Sequence, residues 1–265
     1  MSTFNLVTWL RIDRQDEIWR LILDRPERKN AVPFDGWPEL GQALAEFEVS
    51  TARVLIVTGA GGEFCAGAEL DLSRISELST LTQRHQRMKD VGAVATTLHR
   101  ITKPTIAAVD GVAVGAGMNL ALGCDVVIAT TRARFAEIFV RRGLTLDFGG
   151  SWLLPRIVGL QRAKELALSG RLVGAEEALA LGLALEVVEP ERLEARAMEL
   201  AESFLEGAPL AQSFAKQAID AAFESSFFES VSWEGQSQSI ALGTEDAAVG
   251  VLAFVEKRPP VWKGR

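Results

Sequence analysis

Two segments rich in glycine and alanine constrain this chain of 265 residues more than any other feature. The first is Gly61–Leu70 (GGEFCAGAEL) and the second is Asp110–Leu120 (DGVAVGAGMNL). Each follows an apolar run of strand type, and its small residues let the backbone turn sharply and expose its N–H groups. If the two turns face each other, two main-chain donors can bind one developing negative oxygen. Such an oxyanion hole stabilises a carbonyl group as it becomes an enolate.

Composition and charge narrow the class of protein. With 48% apolar and 24% charged residues the chain is typical of globular proteins, and its net charge of −7 argues against a general binder of nucleic acids or membrane surfaces. Two cysteines favour a reducing compartment. Neither an apolar signal-peptide core nor a run of about 18 apolar residues is present in the sequence. We therefore expect a cytoplasmic protein with no membrane or nucleic-acid partner.

Hydrophobic spacing predicts an α/β fold. Alternation of strands and helices favours crossover units and a largely parallel sheet. We expect an α/β core over residues 1–200 and a helical subdomain over residues 201–265. Strands are predicted at 4–12 and 17–25, joined as a hairpin around Arg14–Asp16, and at 54–58, 105–109, 125–129 and 185–188. Helices are predicted at 36–50, 80–101, 115–123, 149–158, 160–169, 175–182, 190–206 and 208–224, with more helix within 226–256.

Several common site motifs are incomplete. Leu120 stands where a dinucleotide fingerprint needs its third glycine, and Ala68 stands where a phosphate-binding loop needs lysine. Leu153 replaces the last glycine of a nucleophile elbow. His85 and His99 have no neighbouring ligand pattern, so no metal site is predicted. Main-chain donors and carboxylates are what remains for chemistry.

A series of segments in one order makes the chain resemble a known family over nearly its whole length. The segments are Leu23–Ala31 (LDRPERKNA), Phe64–Ala68 (FCAGA), Lys103–Pro104, Asp110–Gly111, Gly115–Gly117, Cys124–Asp125 and Phe254–Pro260 (FVEKRPP). In this order they resemble the crotonase superfamily, the enoyl-CoA hydratase/isomerase family. The resemblance implies a crotonase (ClpP-like) spiral of ββα units with a C-terminal helical trimerisation subdomain. It also implies an acyl-CoA thioester substrate, no separate cofactor, and a homotrimer or a dimer of trimers.

The resemblance assigns roles by position. The oxyanion donors would be the backbone N–H groups of Ala68 and Ala116, and basic residues would lie near the phosphates of coenzyme A. Trp152 and Phe139 would line the acyl pocket. The residues expected to contact substrate are Arg25, Lys29, Ala66, Gly67, Leu70, Gly115, Asn119, Phe139, Trp152 and Lys257, the last of these often from a neighbouring subunit.

The chain departs from the family at two positions. Hydratases of this family use two glutamates, and here Asn119 and Phe139 occupy those positions; neither side chain transfers protons at neutral pH. Asp147 stands where isomerase-like members, including ring-opened phenylacetyl-CoA isomerases, carry an aspartate. Its alternative role is to cap a helix that begins near Gly149. Glu137 is the nearest other acid, interpreted as a surface charge or as an auxiliary acid.

These observations predict an enoyl-CoA isomerase in which Asp147 removes the proton at C2 and returns it at C4. Three alternatives stay open. The first is a hydratase or a ring-modifying isomerase that uses Asp147 or Glu137 in a non-standard way. The second is a dehalogenase, which would also need a histidine base. The third is a catalytically weak homologue that binds acyl-CoA or RNA.

Overall fold

A mixed sheet of six strands forms the centre of the protein. The computed structural model describes residues 9–265. The strand order is β1-β2-β3-β4-β6-β9; β1 and β2 are antiparallel, and every later neighbour is parallel. The strands are β1 (Leu10–Gln15), β2 (Ile18–Leu23), β3 (Val54–Gly59), β4 (Thr105–Val109), β6 (Val126–Thr130) and β9 (Glu186–Val188).

A second, smaller sheet was not expected from the sequence. It consists of β5 (Val112–Val114), β7 (Arg134–Ala136) and β8 (Val173–Gly174) in that order. Strands of two or three residues are too short to display the alternation by which strands are recognised. A parallel bridge between Cys65 and Ala113 joins this sheet to the first glycine-rich turn. The small sheet therefore places the two turns side by side.

Helices cover both faces of the large sheet. On one face, Leu40, Leu44 and Phe47 of α1 are fully buried, as their spacing predicts. On the other face, Ala197 and Ala201 of α8 pack with apolar side chains of β3, β4 and β6. The helices are α1 (Trp37–Val49), α2 (Leu72–Glu77), α3 (Leu81–His99), α4 (Ala116–Leu122), α5 (Gly150–Val158), α6 (Leu160–Ser169), α7 (Ala175–Leu181), α8 (Leu193–Leu205), α9 (Pro209–Ala221), α10 (Phe227–Leu242) and α11 (Glu245–Glu256).

The predicted α/β class with a C-terminal helical region is confirmed, with two adjustments. The hairpin turn falls at residues 16–17, one to two residues after its predicted centre at residue 15, and Asp16 adopts a left-handed φ of 45° there. Residues 4–8 of the first predicted strand lie outside the described residues. The stretch 226–256 is two helices, since Thr244 caps a new one with its side chain. The division at residue 200 stays a prediction; α8 spans that point.

The C-terminal helices carry much exposed apolar surface. Phe228 of α10 and Phe254 of α11 are 83% and 86% exposed, and Phe223, Phe227 and Val255 are also exposed. Among residues 9–265 no single helix is long and apolar enough to cross a membrane; α10 and α11 pass that test only as a pair bent by 77°. The exposed apolar side chains of α10 and α11 thus lie on two helices that meet at an angle and do not form one continuous span.

Candidate active site

The side chain of Asn30 fixes the first glycine-rich turn through hydrogen bonds to the main chain. Its Nδ2 donates to the carbonyl oxygens of Ala60 at 2.8 Å and Glu63 at 2.5 Å, and its Oδ1 accepts from the N–H of Arg25 at 2.8 Å. The residue is buried and adopts a left-handed φ of 55°, which asparagine tolerates better than most residues. Asn30 is not among the site residues predicted from the sequence. The sequence feature that could have identified it is an asparagine at the end of the loop Arg25–Asn30, where a polar turn residue precedes a buried residue.

The two glycine-rich turns meet at closely packed glycines. A Cβ at Gly67 would lie 2.8 Å from the carbonyl oxygen of Val114 and 3.4 Å from the nitrogen of Ala116, and the φ of Gly67 is +85°. A Cβ at Gly117 would overlap the carbonyl oxygen of Cys65. Only glycine allows this approach of main chain to main chain. The predicted facing of the two turns is therefore present in the structure.

Ala68 and Ala116 each present an unpaired main-chain donor at this contact. Val32 donates to the carbonyl oxygen of Gly67 at 2.8 Å, and Glu69 donates to that of Val32 at 2.9 Å. Because successive N–H groups of an extended segment point in opposite directions, the N–H of Ala68 points away from Val32. Ala116 opens α4, where the first N–H groups have no partner within the helix. Within residues 9–265 neither N–H donates a hydrogen bond.

The buried Asn119 and Glu137 form a cluster with the partly buried Asp147 beneath the second turn. The Nδ2 of Asn119 donates to the main-chain oxygen of Asp147 at 3.0 Å and to Oε2 of Glu137 at 3.4 Å. Gly150 leaves room for this amide, because a Cβ there would lie 2.4 Å from Nδ2. The surface interpretation of Glu137 is wrong: the residue is 1% exposed. A single acid inside the apolar run FAEIFV was the sequence signal for its burial.

Burial makes both acids of the cluster weak. It raises the pKa of Asp147 from 3.8 to about 6. It also raises the pKa of Glu137 from 4.5 to about 8; the bond from Asn119 opposes this change and the charge of Asp147 adds to it. Asp147 is therefore the acid of the cluster that ionises first as the pH rises, and Glu137 keeps its proton to higher pH. A carboxylate with a raised pKa is suited to act as a general base.

The side chain of Asp147 is not used as a helix cap. The residue before α5 is Gly149, no side chain caps the helix, and Gly150 donates instead to the main-chain oxygen of Asp147 at 3.0 Å. Oδ1 of Asp147 is buried and has no hydrogen-bond partner among the described residues. The next residue, Phe148, is held at a φ of +50° and packs against Trp37 with ring centroids 5.7 Å apart. Such strain, about 1–3 kcal/mol, concentrates at functional sites.

An apolar cavity of about 310 Å³ opens beside this cluster. Trp152 lines it as predicted, and the indole contacts His99 edge-on with ring centroids 5.1 Å apart and donates to Glu224 at 3.2 Å. Phe139 is not among the lining residues; its ring packs against Gly115 instead. The volume lies at the lower end of the range of ligand pockets. The lining residues are Ala95, Thr96, Leu98, His99, Gly123, Phe148, Gly149, Trp152, Leu153 and Glu224.

Two of the three predicted phosphate contacts, Arg25 and Lys29, are paired with acidic side chains of the same chain. Arg25 forms two hydrogen bonds to the carboxylate of Glu69, at 3.0 and 3.2 Å, and Lys29 pairs with Glu63 at 2.9 Å. The pairing with Glu69 raises the pKa of Arg25. Lys257 ends α11 at an exposed position with a φ of 54°.

The remaining predicted contacts lie on the two turns. Ala66 donates its N–H to the carbonyl oxygen of Lys29 at 2.9 Å, and Leu70 is 53% exposed at the end of the first turn. On the second turn, Gly115 donates to the carbonyl oxygen of Ala136 at 2.8 Å and fixes the start of α4. These contacts hold the main chain around Ala68 and Ala116 in place.

Comparisons with known proteins agree with this geometry. Residues 13–265 match the family model described as Enoyl-CoA hydratase/isomerase. The chain is 34% identical over 249 residues to a short-chain-enoyl-CoA hydratase of Clostridium acetobutylicum, covering 93% of this chain and 94% of that protein. It is 36% identical over 250 residues to a 1,2-epoxyphenylacetyl-CoA isomerase of Escherichia coli, covering 94% and 95%. The crystal structure of an enoyl-CoA hydratase from Bacillus anthracis superimposes with a TM-score of 0.91 at 32% identity, covering 97% of this chain and all of that one.

Proposed function

The chain belongs to the enoyl-CoA hydratase/isomerase family, and from that premise we propose that it shifts a C=C bond of an enoyl-CoA by way of a thioester enolate. That it is an acyl-CoA-processing enzyme follows from membership; the isomerase chemistry is our proposal. One observation supports this proposal: Oδ1 of Asp147 is buried and accepts no hydrogen bond from any of the described residues.

The proposed reaction needs two donors and one base. The thioester oxygen accepts hydrogen bonds from the N–H groups of Ala68 and Ala116, which stabilises the enolate; losing one such donor typically costs about 10²–10³-fold in rate. Asp147 takes the proton at C2, and the charge spreads over C2–C4 of a 3-enoyl chain. The carboxylic acid so formed returns the proton at C4 and moves the double bond into conjugation. One carboxylate is enough because the two transfers are successive and no water is added.

The rest of the substrate has room on both sides of this centre. We assign the acyl chain to the cavity lined by Trp152, and the nucleotide to the main chain around Ala66 with Arg25 and Lys29. Phosphates would then compete with Glu69 and Glu63 for these two cations. No step calls for a cofactor, since coenzyme A is part of the substrate.

The proposed assembly is a homotrimer or a dimer of trimers. The exposed aromatic side chains of α10 and α11 support it, because isolated monomers rarely expose so much apolar surface. Lys257 ends α11 beside this surface and could reach a neighbouring subunit's nucleotide. The cytoplasmic location stays a prediction; both cysteines are free and buried.

Asp147→Asn tests the proposed role directly. The variant should lose 3-enoyl-CoA isomerisation by about 10²–10⁴-fold, because asparagine cannot carry the proton. The rise in absorbance of the conjugated thioester measures turnover, and calorimetric titration with a saturated acyl-CoA checks that binding is retained. Full activity in the variant would remove Asp147 from the mechanism.

A hydratase remains the second candidate, because Glu137 supplies a second buried carboxyl group near Asp147. A hydratase consumes the conjugated 2-enoyl thioester in water, so its absorbance would fall. An isomerase leaves that absorbance in place and generates it from the 3-enoyl isomer. Running both substrates with one preparation separates the two reactions.

A further inference from the structure

The cluster of Asn119, Glu137 and Asp147 has more buried hydrogen-bond acceptors than donors. Oδ1 of Asn119, Oε1 of Glu137 and Oδ1 of Asp147 are all buried acceptors with no partner among the described residues. The amide of Asn119 already uses Nδ2 for Glu137 and for the main chain of Asp147. Leaving buried acceptors unpaired destabilises the folded state. A proton on Glu137 removes its charge and turns one of its carboxyl oxygens from an acceptor into a donor.

We propose that Glu137 is a positioning residue that stays protonated while Asp147 is charged, and that its ionisation sets the alkaline limit of the reaction. The inference rests on the proposed function of Asp147. A second negative charge in this pocket would oppose the enolate that forms at the start of α4, close to Asn119. A carboxylate that is already ionised in a low-dielectric site raises the pKa of a second carboxyl group beside it, so the second ionises only at higher pH. The protonated acid thus keeps the net charge of the cluster at minus one.

Among the described residues, Asp147 is the charged group that most affects the ionisation of Glu137. The charge of Asp147 is the one that acts on Glu137, and α4 carries no titratable side chain. The basic residues on neighbouring elements bind elsewhere or are exposed. They are Arg134, which donates to the carbonyl oxygen of Ala133; Arg141, which donates to that of Ser169; the exposed Arg142, Arg162 and Lys164; Arg156, which lies over the ring of Trp152; and Arg171, which pairs with Glu165 and Glu177.

Glu137→Gln mimics the protonated acid and cannot ionise. For the unmodified protein, kcat/KM should rise with pH through about 6, where Asp147 ionises, and fall about tenfold per pH unit above about 8. The variant should keep the acidic limb and lose the alkaline one. Its kcat at pH 7 should fall by less than about tenfold, far less than for Asp147→Asn. Glu202→Gln, the same change at an exposed site of α8, should keep both limbs.

Two kinetic outcomes would overturn the inference. One is an alkaline limb at the same pH in Glu137→Gln. The other is a loss as severe as that of Asp147→Asn at every pH, which would make Glu137 a proton carrier in its own right.

Infrared spectroscopy tests the proton without turnover. The unmodified protein should show a buried carboxylic-acid C=O band at pH 7 that vanishes above about pH 8 and is missing in Glu137→Gln. Absence of that band in the unmodified protein would refute the inference. If the band is present but no enoyl-CoA is isomerised, the proposed function fails and the assignment of the proton stands.

Discussion

Replacing Asp147 by asparagine should stabilise the folded protein while it removes activity. The carboxylate of Asp147 is disfavoured in the folded state, because burial raises its pKa from 3.8 to about 6. At about 1.4 kcal/mol per pH unit, this difference corresponds to at most about 3 kcal/mol. Asparagine has nearly the same shape and no charge to bury, so it escapes this cost.

The pH dependence of the effect has a definite sign. Below pH 3.8 both folded and unfolded chains hold the proton, and Asp147 costs nothing. As the pH rises from 3.8 to about 6 the unfolded chain releases its proton first, and the folded state loses stability. Above about pH 6 the cost is complete and constant. The free energy of unfolding of Asp147→Asn should therefore exceed that of the unmodified protein by about 1.5 kcal/mol at pH 5 and by about 3 kcal/mol at pH 7. This difference is the advantage of the variant.

Urea denaturation at fixed protein concentration, at pH 5, 7 and 8, measures this advantage. Asp13→Asn, on the edge strand β1, is the matched control and should follow the unmodified protein at each pH. An advantage that does not grow between pH 5 and pH 7 would contradict the reasoning. So would a destabilised asparagine variant at pH 8, since it would mean that the carboxylate has stabilising partners.

Two further substitutions test the turns and the cavity. Gly67→Ala places a Cβ 2.8 Å from the carbonyl oxygen of Val114, so kcat/KM should fall by about 10²–10³-fold as the oxyanion donors separate. Gly92→Ala, where a Cβ meets nothing within 4 Å in α3, is its control: activity should be kept and the melting temperature should rise slightly. Trp152→Ala enlarges the cavity of about 310 Å³ and should shift the preferred substrate to longer acyl chains, measured as kcat/KM ratios across a chain-length series; an unchanged ratio would place the chain elsewhere.

The sequence predicted the elements that carry a periodic pattern. The buried stripe of α1 and the apolar strands β3 and β4 appear where their spacing placed them. The three strands of the small sheet were missed because they are two or three residues long and depend on pairing with distant segments. The facing of the two turns was predictable, since runs of small residues allow one main chain to approach another closely.

The buried cluster was only half predicted. Asp147 and Asn119 were identified by position, but the burial of Glu137 depends on the fold. Its carboxyl group lies 18 residues from Asn119 along the chain and is brought there by β7 and the turn after it. Likewise, the pairing of Arg25 with Glu69 joins residues 44 apart. Such contacts are set by tertiary packing, which local patterns do not encode.

The donors at positions 68 and 116 belong to the peptide backbone and not to any side chain. Every amino acid except proline supplies that N–H, so random substitution there rarely erases it. Under the proposed mechanism, evolutionary divergence can then proceed through residues 119, 137, 139 and 147 while both main-chain donors are inherited intact. A lineage with this architecture can acquire a new reaction without passing through an ancestor that has lost its hold on the ligand.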